Sequence, residues 1–203
     1  YLFFDIVHHL NLARKKKDKW EDRLQLADLN LKAGLKARAA SAFEQSLEYL
    51  TIGMDLIGFA TWKREYSLTL SLHEEATEMS WLCGRFDLME KLADAVKDNA
   101  RDDSDLVRVY LCLIQKYTIH GQLKKAMETG HEILEKLGCK LNPLSLEQLQ
   151  KTFVQTKSTL AGKSVKDVMH FEPLTQPYDK NIAEIAYRIQ LVYNEAGYNL
   201  DDG

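Results

Sequence analysis

The stretch TLAGKSVKD contains Gly162, Lys163 and Ser164 in the order that ends a phosphate-binding loop. Such a loop also needs a glycine five residues before Gly162, a preceding strand, and a helix that begins at the lysine. Position 157 is a lysine, and the residues before it have the period of a helix. The sequence therefore predicts a helix end at Gly162 and no nucleotide site.

The histidines do not have the spacing of a metal site. His8 and His9 are adjacent, so they point to different sides of a helix. The segments that begin at His73 and His131 lack the second histidine, four residues on, of a zinc-protease helix. We therefore predict no metal site.

The three cysteines, Cys83, Cys112 and Cys139, are scattered and odd in number, which is not typical of a disulfide framework. Each lies on an apolar stripe or directly before a glycine, or shortly after one, where cysteine behaves as a small hydrophobic residue. A nucleophilic cysteine needs a positioned base, and the sequence offers none. We expect no catalytic residue, no cofactor and no enzymatic activity in these residues.

The overall composition excludes several classes of partner. The chain has 203 residues, with 27 Lys and Arg against 30 Asp and Glu, so it lacks the basic surface that binds nucleic acid. No apolar run reaches the roughly 20 residues that cross a membrane, and the start YLFFDIVHHL lacks the basic region that precedes the apolar part of a signal peptide. We expect a soluble, cytoplasmic protein without nucleic-acid or membrane partners, and its first residue, Tyr1, suggests a piece of a longer chain.

The elements that position these residues are predicted to be helices. Apolar residues recur at steps of three and four on both sides of Gly121, which indicates a helical hairpin with a glycine turn. Gly34 and Gly84 occupy similar positions, so we predict a repeat of tetratricopeptide type, with spacing less regular than the usual period of about 34 residues. The alternative is an ordinary bundle with glycine turns.

Two further predictions concern the boundaries of the helices. The wide interval between Gly34 and Gly84 predicts one overlong helix over 36–57, closed by Gly58, with the next helix beginning near Trp62.

Near the C-terminus, Ser145 and Gln148 form a capping box that predicts a helix to about Ala161. The stretch HFEPLTQPYD predicts an extended connection, and a last helix is expected over 181–195.

We therefore predict an all-α fold: a right-handed stack of irregular tetratricopeptide-like hairpins over 1–143, with a C-terminal helical extension over 144–203 packed on the same stack. In such a stack the first helix of each hairpin lines one face, whose positions can be counted from the turn glycines. The count gives a groove with an acidic middle, suited to a basic or mixed-charge protein segment. Its residues are Asp28, Lys32, Glu74, Glu78, Trp81, Arg108 and Gln115.

Several stretches resemble the helical-repeat region of large hybrid signalling kinases, in the same order along nearly the whole chain. They are LFFDIVHHLNLA, LADLNLKAGLKARAASAFEQSLEYLTIGMDLI, WKREYSLTLSLHEEATEMSWLCGRFDLMEKL, VRVYLCLIQKYTIHGQLKKAMETG and LAGKSVKDVMHFEPLTQP. In that family a serine/threonine-kinase-like domain and a STAND-type ATPase precede this region, and a GAF sensor and a histidine kinase commonly follow it.

The resemblance implies a non-catalytic scaffold or regulatory module that contacts the ATPase and kinase domains of its own chain and other proteins; self-association is compatible with this role. The alternative, of another class, is a helical-repeat domain that senses a small molecule or a peptide. An independent helical enzyme is the weakest interpretation, because it needs a convergent set of titratable groups and the sequence offers only dispersed ones.

Overall fold

The computed structural model describes residues 2–13, 19–58, 61–139, 154, 158, 161–162 and 177–195. No strand occurs in these residues, so the all-α prediction is confirmed. The helices are α1 (Leu2–Leu12), α2 (Trp20–Ala39), α3 (Phe43–Ile57), α4 (Thr61–Arg64), α5 (Tyr66–Leu82), α6 (Phe86–Asn99), α7 (Val107–Ile119), α8 (Leu123–Lys136) and α9 (Pro177–Glu195). A short 3-10 turn, Asp103–Leu106, leads into α7.

Three helical hairpins, α2/α3, α5/α6 and α7/α8, follow one another. The turns at Gly84 and Gly121 close with the same pair of backbone hydrogen bonds. Gly84 donates to the carbonyl of Trp81 and Arg85 to that of Ser80, at 3.0 and 2.8 Å. Both glycines have a positive φ, 70° and 68°, which a glycine adopts without steric cost. The two glycine turns are as the sequence predicts.

The first hairpin turns at Ser41, so the predicted turn at Gly34 is wrong. Ser41 has a φ of 58°, and the amides of Ser41 and Ala42 donate to the carbonyls of Arg38 and Ala37 at 2.9 Å each. This is the same bond pattern as at Gly84. The predicted overlong helix over 36–57 is therefore two helices, α2 and α3.

Gly34 instead lies buried inside α2, where α3 approaches closely. A Cβ at this position would be 2.8 Å from Leu50. The glycine thus marks close helix packing and not a chain reversal. Two neighbouring predictions are confirmed: Gly58 ends α3 with a φ of 68°, and the next helical residues include Trp62 in the short helix α4.

The core consists of two large apolar clusters. The first contains residues of α2, α3, α5 and α6 around Leu50, Leu72 and Met79. The second contains residues of α6, α7, α8 and α9. In the second cluster Ile185 and Ile189 of α9 are almost completely buried. At Gly130 of α8 a Cβ would be only 2.5 Å from Ile189, so glycine allows α9 to pack closely on α8.

The helix α9 begins earlier than predicted. Pro177 is its first residue, a position where the missing amide hydrogen costs nothing, so the end of HFEPLTQPYD is helical and not extended. Gly162 has a φ of 78°, consistent with a helix end. The predicted boundary between 143 and 144, the capping box at Ser145 and most of the helix that follows it lie outside the described residues.

In the described part of the chain, no helix combines the length and the apolar character that crossing a membrane requires.

Candidate functional site

Five charged side chains from the first helices of the three hairpins meet in one cluster, which we call the inter-repeat network. It consists of Arg38 of α2, Glu74, Glu75 and Glu78 of α5, and Arg108 of α7. Each hairpin therefore contributes at least one charged group.

Glu75 is the centre of this network. Its two carboxylate oxygens accept separate hydrogen bonds, from Arg38 at 2.8 Å and from Arg108 at 2.7 Å. Glu78 accepts from the same two arginines, at 3.2 and 2.6 Å. The two carboxylates thus bridge α2 and α7 across α5.

Burial makes these contacts stronger than ordinary surface ion pairs. The side chain of Glu75 is only 9% exposed, whereas that of Glu78 is 36% exposed. Burial alone would lower the pKa of the Arg108 guanidinium, but hydrogen bonds to Glu75 and Glu78 and charge attraction from Glu75 and Glu74 outweigh it and raise the pKa. Arg108 is therefore held in its charged form.

Glu74 lies at the edge of the network, with a carboxylate oxygen 3.7 Å from Arg108. Burial raises the pKa of the Glu74 carboxyl to about 7. The charge of Arg108 opposes this rise, and repulsion from Asp105 and Glu75 adds to it. Glu74 consequently changes charge close to neutral pH.

The structure brings together three of the seven residues predicted for the partner groove, Glu74, Glu78 and Arg108. Their charges are directed at one another and at Arg38, so the predicted acidic middle is largely compensated by two arginines. Direct charge attraction for a basic partner is weaker here than the sequence suggested.

Asp28 and Lys32 lie apart from this network. They form an ion pair of 2.6 Å one turn apart on α2, with side chains 46% and 58% exposed. Their predicted place in the groove depends on a turn at Gly34, whereas the turn is at Ser41. Gly34 and Ser41 are seven residues apart, which is two helical turns. Positions counted from Gly34 therefore lie on nearly the correct face of α2 but two turns away along its axis.

Arg38 and Glu75 were missed by the sequence analysis. Counting back from Ser41 would have found Arg38, which lies three residues before the turn, as Trp81 lies three residues before Gly84. The sequence indicates Glu75 less clearly. It lies between Glu74 and Glu78, the two carboxylates of α5 that are predicted to line the groove.

The other two predicted groove residues, Trp81 and Gln115, line a cavity of about 230 Å³ between α5, α7 and α9. Apolar side chains, including Ile114 and Leu191, form much of its wall. With the side-chain amide of Gln115 oriented to suit its neighbours, its oxygen accepts hydrogen bonds from Arg188 at 2.9 and 3.1 Å. Arg188 was not predicted, because the sequence did not show where α9 packs.

Two further titratable side chains near this face, His73 and Cys112, are buried in the core. His73 is buried beside Trp62, and its Nδ1 lies 2.7 Å from the carbonyl of Thr69. Burial lowers the pKa of His73, although this backbone contact opposes the shift. Burial also raises the pKa of the Cys112 thiol to about 12, with a contribution from Glu78. A thiol with so high a pKa is a poor nucleophile at neutral pH.

No group of three metal-ligating side chains occurs in the parts of the chain that the structure describes. The charged groups on α2, α5 and α7 link the three hairpins through ion pairs. The cavity beside α9 offers apolar surface with charged groups at its edge.

Comparison with known proteins gives one relevant similarity. The chain is 23% identical over 177 residues to the Hybrid signal transduction histidine kinase G of Dictyostelium discoideum. The match covers 82% of this chain and 5% of that protein. This similarity relates the chain to signalling kinases. No protein-family model and no solved structure matches the chain.

Proposed function

We propose that this chain is a non-catalytic helical-repeat module of a multidomain signalling ATPase or kinase in the cytoplasm. In this role it contacts the catalytic domains of its own chain and other proteins. The observation that carries the proposal is the similarity to the Dictyostelium histidine kinase, which extends over most of this chain but over a small fraction of the kinase. A repeat region of tetratricopeptide type inside a long signalling chain would match over most of its own length and over only a small part of the whole kinase, as this chain does.

The inter-repeat network supports a mechanical role for this module. Because Glu75 binds Arg38 and Arg108 at once, a displacement of α2 relative to α5 changes contacts that α7 also makes. A catalytic domain docked on one hairpin would therefore influence the hairpins beside it. Such coupling requires that the docked domain makes different contacts in its active and inactive states.

The exposed part of the predicted groove suits a partner of mixed charge. Asp28 and Lys32 are both accessible and carry opposite charges, whereas Glu75 is already bound to two arginines. A partner segment with one acidic and one basic group would pair with Asp28 and Lys32 without breaking the network.

A charge exchange tests this contact. In the full-length kinase chain, the double variant Asp28→Lys with Lys32→Asp keeps an ion pair on α2 but inverts its direction. We expect it to reduce the protection of α2 from hydrogen exchange that the neighbouring domains provide. The circular dichroism spectrum of the isolated 203 residues should stay unchanged, because both side chains are exposed.

The matched control is the exchange Lys124→Glu with Glu128→Lys on α8, another exposed pair one turn apart. It should leave the protection of α2 as it is in the parent chain. Equal protection of α2 in the parent chain and in the isolated 203 residues would show that no neighbouring domain docks there, and would contradict the proposal.

A further inference from the structure

Two arginines pack on the same tryptophan ring at the edge of the stack where α2 begins. The Cζ atom of Arg23, in the first turn of α2, lies 5.4 Å from the centre of the Trp20 ring. The Cζ atom of Arg64, at the end of α4, lies 4.9 Å from the centre of the same ring. Both distances are within the range of about 6 Å for a cation–π contact. We call Trp20, Arg23 and Arg64 the arginine–tryptophan cluster.

The two arginines of this cluster have no counter-charge in the described part of the chain. Of the seven arginines there, the other five each donate a side-chain hydrogen bond to a carboxylate, a carbonyl or an amide oxygen. Arg23 and Arg64 donate none within those residues. Asp22 and Glu65 are their neighbours in the chain, but no described carboxylate is within ion-pair distance of either guanidinium.

The two guanidinium groups are held in place by the fold. The Nε atom of Arg23 is buried and has no acceptor among the described residues. Arg64 belongs to the short helix α4, and Arg101 anchors the end of that helix. Arg101 donates to the carbonyls of Trp62 and Lys63, at 3.2 and 3.3 Å. A partner therefore meets side chains that are already ordered, which reduces the entropy cost of binding.

Two like charges on one ring favour an anionic partner. The distances to the shared ring place the two Cζ atoms no more than roughly 10 Å apart. Each guanidinium can bind one carboxylate through two parallel hydrogen bonds. Carboxylates two residues apart in an extended segment lie on the same side, with Cα atoms about 6.4–6.8 Å apart. Two such groups can reach Arg23 and Arg64 together.

We infer that the arginine–tryptophan cluster binds an acidic segment of a partner protein, with one carboxylate on Arg23 and another on Arg64. A single carboxylate would leave one guanidinium without an acceptor, and an apolar segment would leave both. Nucleic acid is not favoured, because the chain has 27 Lys and Arg against 30 Asp and Glu. This inference does not depend on the function proposed above.

Titration of the full 203-residue chain with a short peptide tests the inference. The probe is an acetylated and amidated heptapeptide of alanine and serine, with glutamates at its third and fifth positions. Nuclear magnetic resonance of the Trp20 indole N–H group reports binding at the cluster itself. We expect a saturable shift of this signal and weaker binding at higher salt. The same peptide with two glutamines should bind at least about tenfold more weakly, since a hydrogen bond to a charged group contributes that factor or more.

Two variants locate the site. Arg64→Gln removes one of the two guanidinium groups and should weaken binding of the two-glutamate peptide at least about tenfold. Arg64 is exposed, so this change removes no core contact. The matched control is Arg85→Gln, which removes an exposed arginine paired with Glu44 on α3 and should leave binding unchanged.

Three results would overturn the inference. They are the absence of a saturable shift of the Trp20 signal at millimolar peptide, equal binding of the glutamate and glutamine peptides, and equal weakening by Arg64→Gln and Arg85→Gln. Tighter binding of inorganic phosphate than of the peptide would also contradict it, because the cluster would then recognise phosphate groups. Unchanged circular dichroism of each variant shows that a loss of binding does not come from unfolding.

Discussion

Asn11 of α1 and Asn30 of α2 bind each other through two reciprocal amide hydrogen bonds, of 2.9 and 2.8 Å, and both side chains are buried. Asn30 also donates to the carbonyl of Leu26 at 2.8 Å. A buried amide must keep its partners, so this pair fixes the position of α1 along and around α2. Apolar contacts alone would fix that register less sharply.

Removing one member of this pair should be more harmful than replacing both. Asn30→Leu takes both bonds from Asn11 and should lower the free energy of unfolding by about 1–3 kcal/mol. The double variant Asn11→Leu with Asn30→Leu should lose less, since two apolar groups of similar shape do not need hydrogen bonds. Urea denaturation of the parent chain, Asn11→Leu, Asn30→Leu and the double variant measures this. A double variant as unstable as the sum of the single ones would show that the two amides act independently.

A serine stands at Ser41, where the two later hairpins have glycine. Ser41 has the left-handed conformation, which costs a non-glycine residue about 1–2 kcal/mol. A glycine avoids this cost, but it loses more conformational entropy on folding, which offsets part of the gain in stability. Ser41→Gly should therefore raise the free energy of unfolding by about 0.5–1 kcal/mol.

The converse change, Gly84→Ser, is the matched control for that prediction. A Cβ at Gly84 meets no atom within 4 Å, so only backbone strain changes. It should lower stability by a similar amount in thermal unfolding. Destabilisation by Ser41→Gly would mean that the serine side chain, and not its backbone, determines this turn.

Ser41 also explains which part of the fold the sequence could predict. Helical periodicity and the glycines at 84 and 121 were sufficient for two hairpins, because there the local conformational preference agrees with the fold. The first turn was misplaced because Gly34 fits a helix end equally well, and only contact with Leu50 shows that it is a packing glycine. Close approach of two helices is a tertiary property that one sequence does not display.

The candidate site was predictable to a similar degree. Glu78 and Arg108 were placed by counting back from the turns at Gly84 and Gly121, which the structure has where predicted. These two side chains are in contact. Two parts were inaccessible to the sequence. The pairing of Glu75 with Arg38 could be predicted only by counting helix positions from the turn at Ser41. The contact of Arg188 with Gln115 depends on where α9 packs, which the sequence does not show.

The central position of Glu75 in the inter-repeat network predicts an unequal effect of two conservative changes. Glu75→Gln removes a nearly buried negative charge that two arginines share, so it should lower the free energy of unfolding by about 1–3 kcal/mol. This is less than for a fully buried pair, because both arginines remain partly in contact with water.

The exposed pair on α2 provides the comparison. Asp28→Asn removes one partner of Lys32 but should change stability by no more than about 0.5 kcal/mol. Chemical denaturation of both variants measures the difference. Similar effects of Glu75→Gln and Asp28→Asn would show that the inter-repeat network contributes no more than a surface ion pair.

Glu74 predicts a loss of stability as the pH rises toward neutrality. Burial raises its pKa in the folded state to about 7, with repulsion from Asp105 and Glu75 and an opposing attraction from Arg108. Between about pH 4.5 and 7 the folded protein therefore holds a proton that the unfolded chain has released. Stability contributed by this group falls across that interval, by up to about 1.4 kcal/mol per pH unit.

His73 acts in the opposite direction, since burial lowers its pKa in the folded state and stability from this group rises with pH toward its ordinary value near 6.5. The test is therefore a difference: the free energy of unfolding of Glu74→Gln minus that of the parent chain, measured from pH 5 to pH 8. Glutamine resembles the protonated carboxyl at every pH, so the difference should increase with pH and level off above about 7. Because His73 is present in both proteins, its contribution cancels, and a difference that stays constant over this range would show that Glu74 is already ionised at pH 5.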